Sequence, residues 1–135
     1  MVDFADLWIP GPLPGLNEMI DAAKGSGGRG AGYARLKRDW TEAVWAHAKS
    51  ARLPSFPGRV VLRFRWFERD RRRDPDNVAA AKKLVMDGLV KAGVLKGDGW
   101  KFVQSWTDSF DVVPERPGVA VTIHHYGGAV LMDAP

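Results

Sequence analysis

Residues 59–77 read RVVLRFRWFERDRRRDPDN. Val60, Leu62, Phe64 and Trp66 fall on one side of a period-two pattern, and Arg59, Val61, Arg63, Arg65 and Phe67 fall on the other. That alternation predicts a strand with a core face and a second face that offers arginines to solvent, a partner subunit or nucleic acid. The strand runs into three successive arginines and then Asp74-Pro75-Asp76-Asn77. An Asp followed by Pro is a good helix start, so a helix is expected over 77–92, stopped by Gly93.

Outward from this segment the chain alternates elements and breakers. Phe4 to Ile9 reads as a strand ended by Pro10-Gly11-Pro12, and Leu16 to Lys24 as one or two helical turns. Residues 25–32, GSGGRGAG, read as a flexible glycine-rich loop. They contain a formal G-x-G-x-x-G, but no strand precedes it, and no nucleotide cofactor is expected. Leu36, Trp40, Ala43, Val44, Ala48 and Ala51 recur three or four apart and define an amphipathic helix over 33–51. Trp100 to Val113 reads as a strand with an interruption at Asp108-Ser109, and Val119 to Tyr126 as a last strand, followed by a tail over 127–135. The expected architecture is one α+β domain over residues 1–135. Two main helices pack on a mixed sheet of about four strands, in the order β-α-β-α-β-β.

Composition narrows the chemistry. The chain has 135 residues, 45% hydrophobic and 27% charged, which suits one compact domain with a real core. Cys is absent, which excludes disulfides, a thiolate nucleophile and Cys-based zinc modules. The three histidines, His47, His124 and His125, are not spaced to build a zinc site. No apolar run is long enough for a membrane span and the N-terminus lacks signal-peptide character, so a cytoplasmic protein without membrane partners is expected. Net charge is +4, and between Arg59 and Arg73 seven arginines face two acids. Such a stripe tracks phosphates when it is not simply solvated. Trp40, Trp66 and Trp106 are expected in the core, whereas Trp100, beside Asp98, is a candidate for stacking on an opened base.

Asp74 and Asp76 are hard oxygen ligands where a basic strand meets a helix start. With a third carboxylate brought in by folding, such a pair suits Mg²⁺ or Mn²⁺. The plain structural alternative is that Asp74 is a helix cap and that Asp98 belongs to a Gly-Asp-Gly turn. On an unbroken helix Lys83 and Asp87 fall within about 20° of the azimuth of Asp76. Lys83 can then lean back toward the acids with Asp87 as its i,i+4 partner.

These residues resemble the RusA family of Holliday junction resolvases, common in phages and prophages. The resemblance rests on Arg71-Arg72-Arg73-Asp74-Pro75-Asp76-Asn77, Lys83, the block from Asp87 to Gly93, and Asp98. Ile9-Pro10-Gly11 to Leu16-Asn17 and the Tyr33 to Trp40 segment support it. It implies a Mg²⁺-dependent endonuclease that acts as a homodimer on four-way DNA junctions in a bacterial or phage-infected cell and makes paired nicks. Asp74, Asp76 and Asp98 match the metal-binding catalytic carboxylates, Lys83 the functional lysine and Arg73 a DNA-contacting position. Two departures stand out: a longer spacer from Asp76 to Lys83, and Gly97 in place of the first acid of the usual Asp-Asp pair.

Under this reading Lys83 neutralises charge on the transition state, and Arg65, Arg71, Arg72 and Arg73 hold backbone phosphates. Asp87 and Asn77 support the site. The competing readings are a branched-DNA-binding module with weak or lost catalysis, a nuclease for flaps or forks, and a structural protein whose acids are helix caps.

Overall fold

The structure, a computed structural model, describes residues 3–25 and 30–127. Half of the glycine-rich loop, residues 26–29, and the tail from 128 onward lie outside the described residues. Four strands form one mixed sheet: β1 (Phe4–Pro10), β2 (Val60–Glu68), β3 (Val103–Val112) and β4 (Gly118–His125), in the spatial order β1-β4-β2-β3. The β1–β4 and β4–β2 pairs are antiparallel and β2–β3 is parallel. The helices are α1 (Leu16–Lys24), α2 (Ala31–Ser50), α3 (Pro75–Ala79) and α4 (Lys82–Lys91). The expected α+β class, the four-stranded mixed sheet and the two main helices are therefore present, with α1 where the helical turns over Leu16 to Lys24 were expected.

The period-two readings of β1, β2 and β4 translate directly into burial. Leu7, Ile9, Leu62, Phe64, Trp66, Val121 and Ile123 are buried beneath the helices, whereas Phe4, Asp6, Arg63 and Arg65 alternate onto an uncovered face. Helix α4 supplies Leu84, Val85 and Leu89 to this core and ends at Gly93, whose φ of +76° is the left-handed closing conformation glycine adopts freely.

Three sequence expectations are corrected. The helix expected over 77–92 is two helices, because the chain tightens at Ala80 and Ala81. There the amides of Ala81, Lys83 and Leu84 bond three residues back, to Val78, Ala80 and Ala81. This winding turns each residue further than α-helical geometry does, so the azimuth argument linking Asp76 to Lys83 does not carry across the joint. Strand β3 is unbroken through Asp108-Ser109. Trp106 is half exposed rather than core, because β3 is the sheet edge beyond the helices.

Helices α2 and α4 cross at Gly88. A β-carbon there would overlap Val44 Cβ and lie 3.1 Å from the Thr41 carbonyl oxygen. Gly88→Ala is expected to lower stability by about 2 kcal/mol despite the better helix propensity of alanine, because overpacking a fixed crossing costs more than propensity returns. Thermal unfolding will show this as a fall in Tm of several degrees.

Candidate active site

The end of β2 and the start of α3 form the wall of a cleft of about 310 Å³. Glu68, Asp70, Arg71, Asp74, Phe110 and Asp111 line it. Asp74 occupies the N-cap position of α3 with Pro75 at the first helical position, as the sequence predicts. Its carboxylate makes no capping hydrogen bond. Asp76 is exposed, and its Oδ1 accepts only the Asn77 amide, at 2.9 Å. Neither acid forms an ion pair among the described residues, so both carboxylates keep oxygens free for a ligand. Arg71, exposed on the rim, contributes the unpaired positive charge.

Lys83 stands in a different group. Its Nζ lies 3.1 Å from Asp87 Oδ1 and 3.3 Å from Asp98 Oδ2. The structure thus brings Lys83, Asp87 and Asp98 together, as expected for the first two. The hydrogen bond to Asp87 raises the pKa of Lys83, burial opposes it, and Asp98 adds to the rise. A lysine pKa raised above its unfolded value near about 10.4 keeps the ion pairs at full strength below that pH and loses them as pH climbs through the folded value. Lys83 is therefore charged throughout the neutral and mildly alkaline range.

Asp98 and Asp87 line a second cleft, apart from the one holding Asp74. Among the described residues no three Asp, Glu or His side chains stand close enough to hold a metal ion. The expected triad of Asp74, Asp76 and Asp98 is thus not gathered into one cage. Asp74 and Asp76 offer the right donor chemistry, while Asp98 is held by Lys83. Gly97 has a physical reason to be glycine, since a β-carbon there would lie 2.9 Å from the Phe102 ring.

The four arginines expected on phosphate divide. Arg73 spends its donors inside the protein: Nε and Nη2 fork onto Glu68 at 2.9 and 2.8 Å, and Nη1 reaches Glu18 and the Leu13 carbonyl, each at 2.9 Å. In this structure the guanidinium acts as a structural clamp. Arg72 is exposed, with Nε 3.7 Å from Asp70. Arg71 borders the acidic cleft, and Arg65 lies on the sheet face that the helices leave open. Asn77 also has a structural task, its Oδ1 accepting the Asn17 amide at 3.1 Å and so tying α1 to α3.

Sequence reasoning missed a further constellation. Lys82 Nζ lies 2.6 Å from Asp108 Oδ2, with the Trp106 and Phe64 rings at 4.7 and 5.3 Å, and Trp66 Nε1 donates to Asp108 Oδ1 at 2.9 Å. The signal was an acid in register with the core-facing row of β3. Such an acid either breaks the strand or finds a buried partner, and here it finds one. At the other end of β3, Trp100 is 94% exposed and shares a cleft with Asp98, Trp106, Arg59 and Gln104. No protein-family model matches this chain, and no curated protein matches it in sequence.

Proposed function

We propose that the protein is a Mg²⁺-dependent, structure-specific endodeoxyribonuclease that resolves four-way DNA junctions by paired phosphodiester hydrolysis as a homodimer. The observation that carries the reading is the Asp74 and Asp76 pair. Both are exposed and form no ion pair among the described residues, Asp74 makes no capping hydrogen bond although it sits at a cap, and Arg71 stands on the rim of the Asp74 cleft. A helix-capping role would consume at least one of these oxygens.

Mg²⁺, when bound, supplies Lewis-acid charge and an activated water for attack on phosphorus. The pair Asp74 and Asp76 fits a hard cation that keeps most of its waters, and Asp98 does not join them here. Arg71 attracts the scissile strand toward the acids, which alone would repel it. Lys83, held charged by Asp87 and Asp98, is an electrostatic reserve next to the second cleft.

One observation favours a second reading. The separation of Asp98 from the pair, together with Phe102 filling the space beside Gly97, suits a branched-DNA-binding module with weak catalysis. The deciding experiment is cleavage of a synthetic four-way junction, with flap, fork and linear duplex as controls, with Mg²⁺ and with chelator. Wild type and Asp76→Asn are run side by side. Paired, metal-dependent nicks in the junction, lost in the variant, are expected. Tight junction binding without nicking under Mg²⁺ or Mn²⁺ selects the binding module, and wild-type cleavage by Asp76→Asn removes the acid pair from the mechanism.

A further inference from the structure

Among the described residues the helices cover one side of the sheet, and nothing covers the opposite side. Register places Trp8, Ala120 and Arg65 in one row across β1, β4 and β2, with Arg63 in the next row. Phe67 follows Arg65 on the same face, about 7 Å along the strand. The Trp8 and Phe67 rings are 5.8 Å apart, Arg116 stacks 4.1 Å over Trp8, and Arg65 lies 5.8 Å from the Phe67 ring. Phe4, 49% exposed, extends the aromatic strip along β1.

Charge on this face is unbalanced. Arg63, Arg65 and Arg116 have no carboxylate partner among the described residues. The acids in the same registers are Asp6, whose Oδ1 accepts the Thr122 hydroxyl at 2.7 Å, and Asp111 on the edge strand. Three unneutralised guanidinium groups interleaved with aromatic rings on an exposed sheet call for an anionic ligand that also has flat faces. A second copy of the chain fits poorly, because a two-fold contact would set the arginine strip against itself.

We propose that this sheet face binds single-stranded nucleic acid, with phosphates on Arg63 and Arg65 and unpaired bases on Phe4, on Phe67 and on the Arg116 guanidinium stacked over Trp8. Unpaired bases offer π-faces that a duplex keeps stacked internally, and aromatic platforms on open sheets recognise them with little sequence preference. A guanidinium already stacked on an aromatic ring presents its own plane to the next base. The surface is centred on β1, β4 and β2, away from the start of α3, and borders the Asp74 cleft at Asp111 on the edge strand. It shares with the nuclease reading only the class of ligand and does not require cleavage.

The test is fluorescence anisotropy of a labelled oligo-dT strand in chelator, so that no hydrolysis contributes. Wild type is expected to bind the strand in preference to the matching duplex. Arg63→Gln with Arg65→Gln should weaken binding at least tenfold and reduce the slope of log K against log salt by about 1.4, the share of two phosphate contacts on a single strand. Both side chains are exposed, so the double variant should fold, with unchanged Tm as the check. Trp8→Ala should weaken binding by about tenfold, within the range of one lost stacking partner. Arg35→Gln with Arg38→Gln removes the same charge from α2 and should leave binding unchanged.

The proposal is overturned if wild type does not bind the strand, or if the sheet-face double variant binds as wild type. It is also overturned if that variant changes self-association by sedimentation while binding is untouched, which would assign the face to a second copy. Strand binding without cleavage of any junction would count against the nuclease reading alone. Junction cleavage with sheet variants that bind normally would count against this proposal alone.

Discussion

Replacing Asp74 by asparagine is expected to reduce single-turnover cleavage of a four-way junction by about 10³-fold, close to 4 kcal/mol of transition-state stabilisation, while leaving the fold intact. The two halves of this expectation come from different observations. Loss of activity follows from removing a free carboxylate from the pair that the proposed hydrolysis depends on. Retained stability follows because asparagine serves at an N-cap as well as aspartate does, and because Asp74 makes no capping hydrogen bond to lose. Helix α3 is short, and Asp70, Asp111 and Glu68 line the same cleft, so loss of one negative charge also relieves repulsion. Thermal unfolding within about 2 °C of wild type is expected alongside the lost cleavage. If Asp74→Asn instead cleaves at the wild-type rate while Asp74→Ala melts several degrees lower, Asp74 is a structural cap and the acid pair is not a catalytic centre.

The neighbouring residue should show the opposite behaviour. Arg73→Met is expected to cost about 3 kcal/mol and to lower Tm by about 10 °C at this chain length. One guanidinium joins the end of β2 through Glu68, α1 through Glu18 and the β1–α1 connection through the Leu13 carbonyl. Its pKa is raised chiefly by the hydrogen bond to Glu68, and removing it strands the half-buried Glu68 carboxylate without a cation. Arg73→Met combined with Glu68→Gln should recover part of the loss, since the orphaned charge is then gone. Arg73→Lys should fall between, because a single ammonium cannot reproduce the fork. Full stability of Arg73→Met would show that the clamp contributes nothing, and would return Arg73 to the surface role its motif implies.

The contrast between Arg72 and Arg73 shows where local sequence stops being informative. The two are adjacent and identical in type. One is exposed and the other is consumed by Glu18 and Glu68, partners that only the folded chain brings near. Strands β1, β2 and β4 were legible because a half-buried strand must alternate, and Val60, Leu62, Phe64 and Trp66 alternate without exception. The split between α3 and α4 was not legible, since Ala80 and Ala81 carry no breaker. The tightening there accompanies the burial of Val78, Ala81, Leu84 and Val85. Asp74 and Asp76 were legible as a pair at a helix start. Whether Asp98 would join them was not, because its position depends on the course of the chain after α4 and on how Phe102 packs against Gly97. Asp108 was visible but misread as a break, because its partner Lys82 comes from a helix on the far side of the crossover.

The strand order carries a consequence for how the molecule comes into being. Strand β4, last in the chain, lies between β1 and β2, so Phe4 finds its partner in His124 across almost the whole sequence. During synthesis β1 emerges early and has no strand to pair with until β4 is made, whereas β2 can pair first with β3. Such long-range pairing is slow and leaves unpaired edges exposed. The sheet is therefore completed only after β4 has emerged. Until then Leu7 and Ile9, which the finished fold buries, lack the strand that pairs with their own.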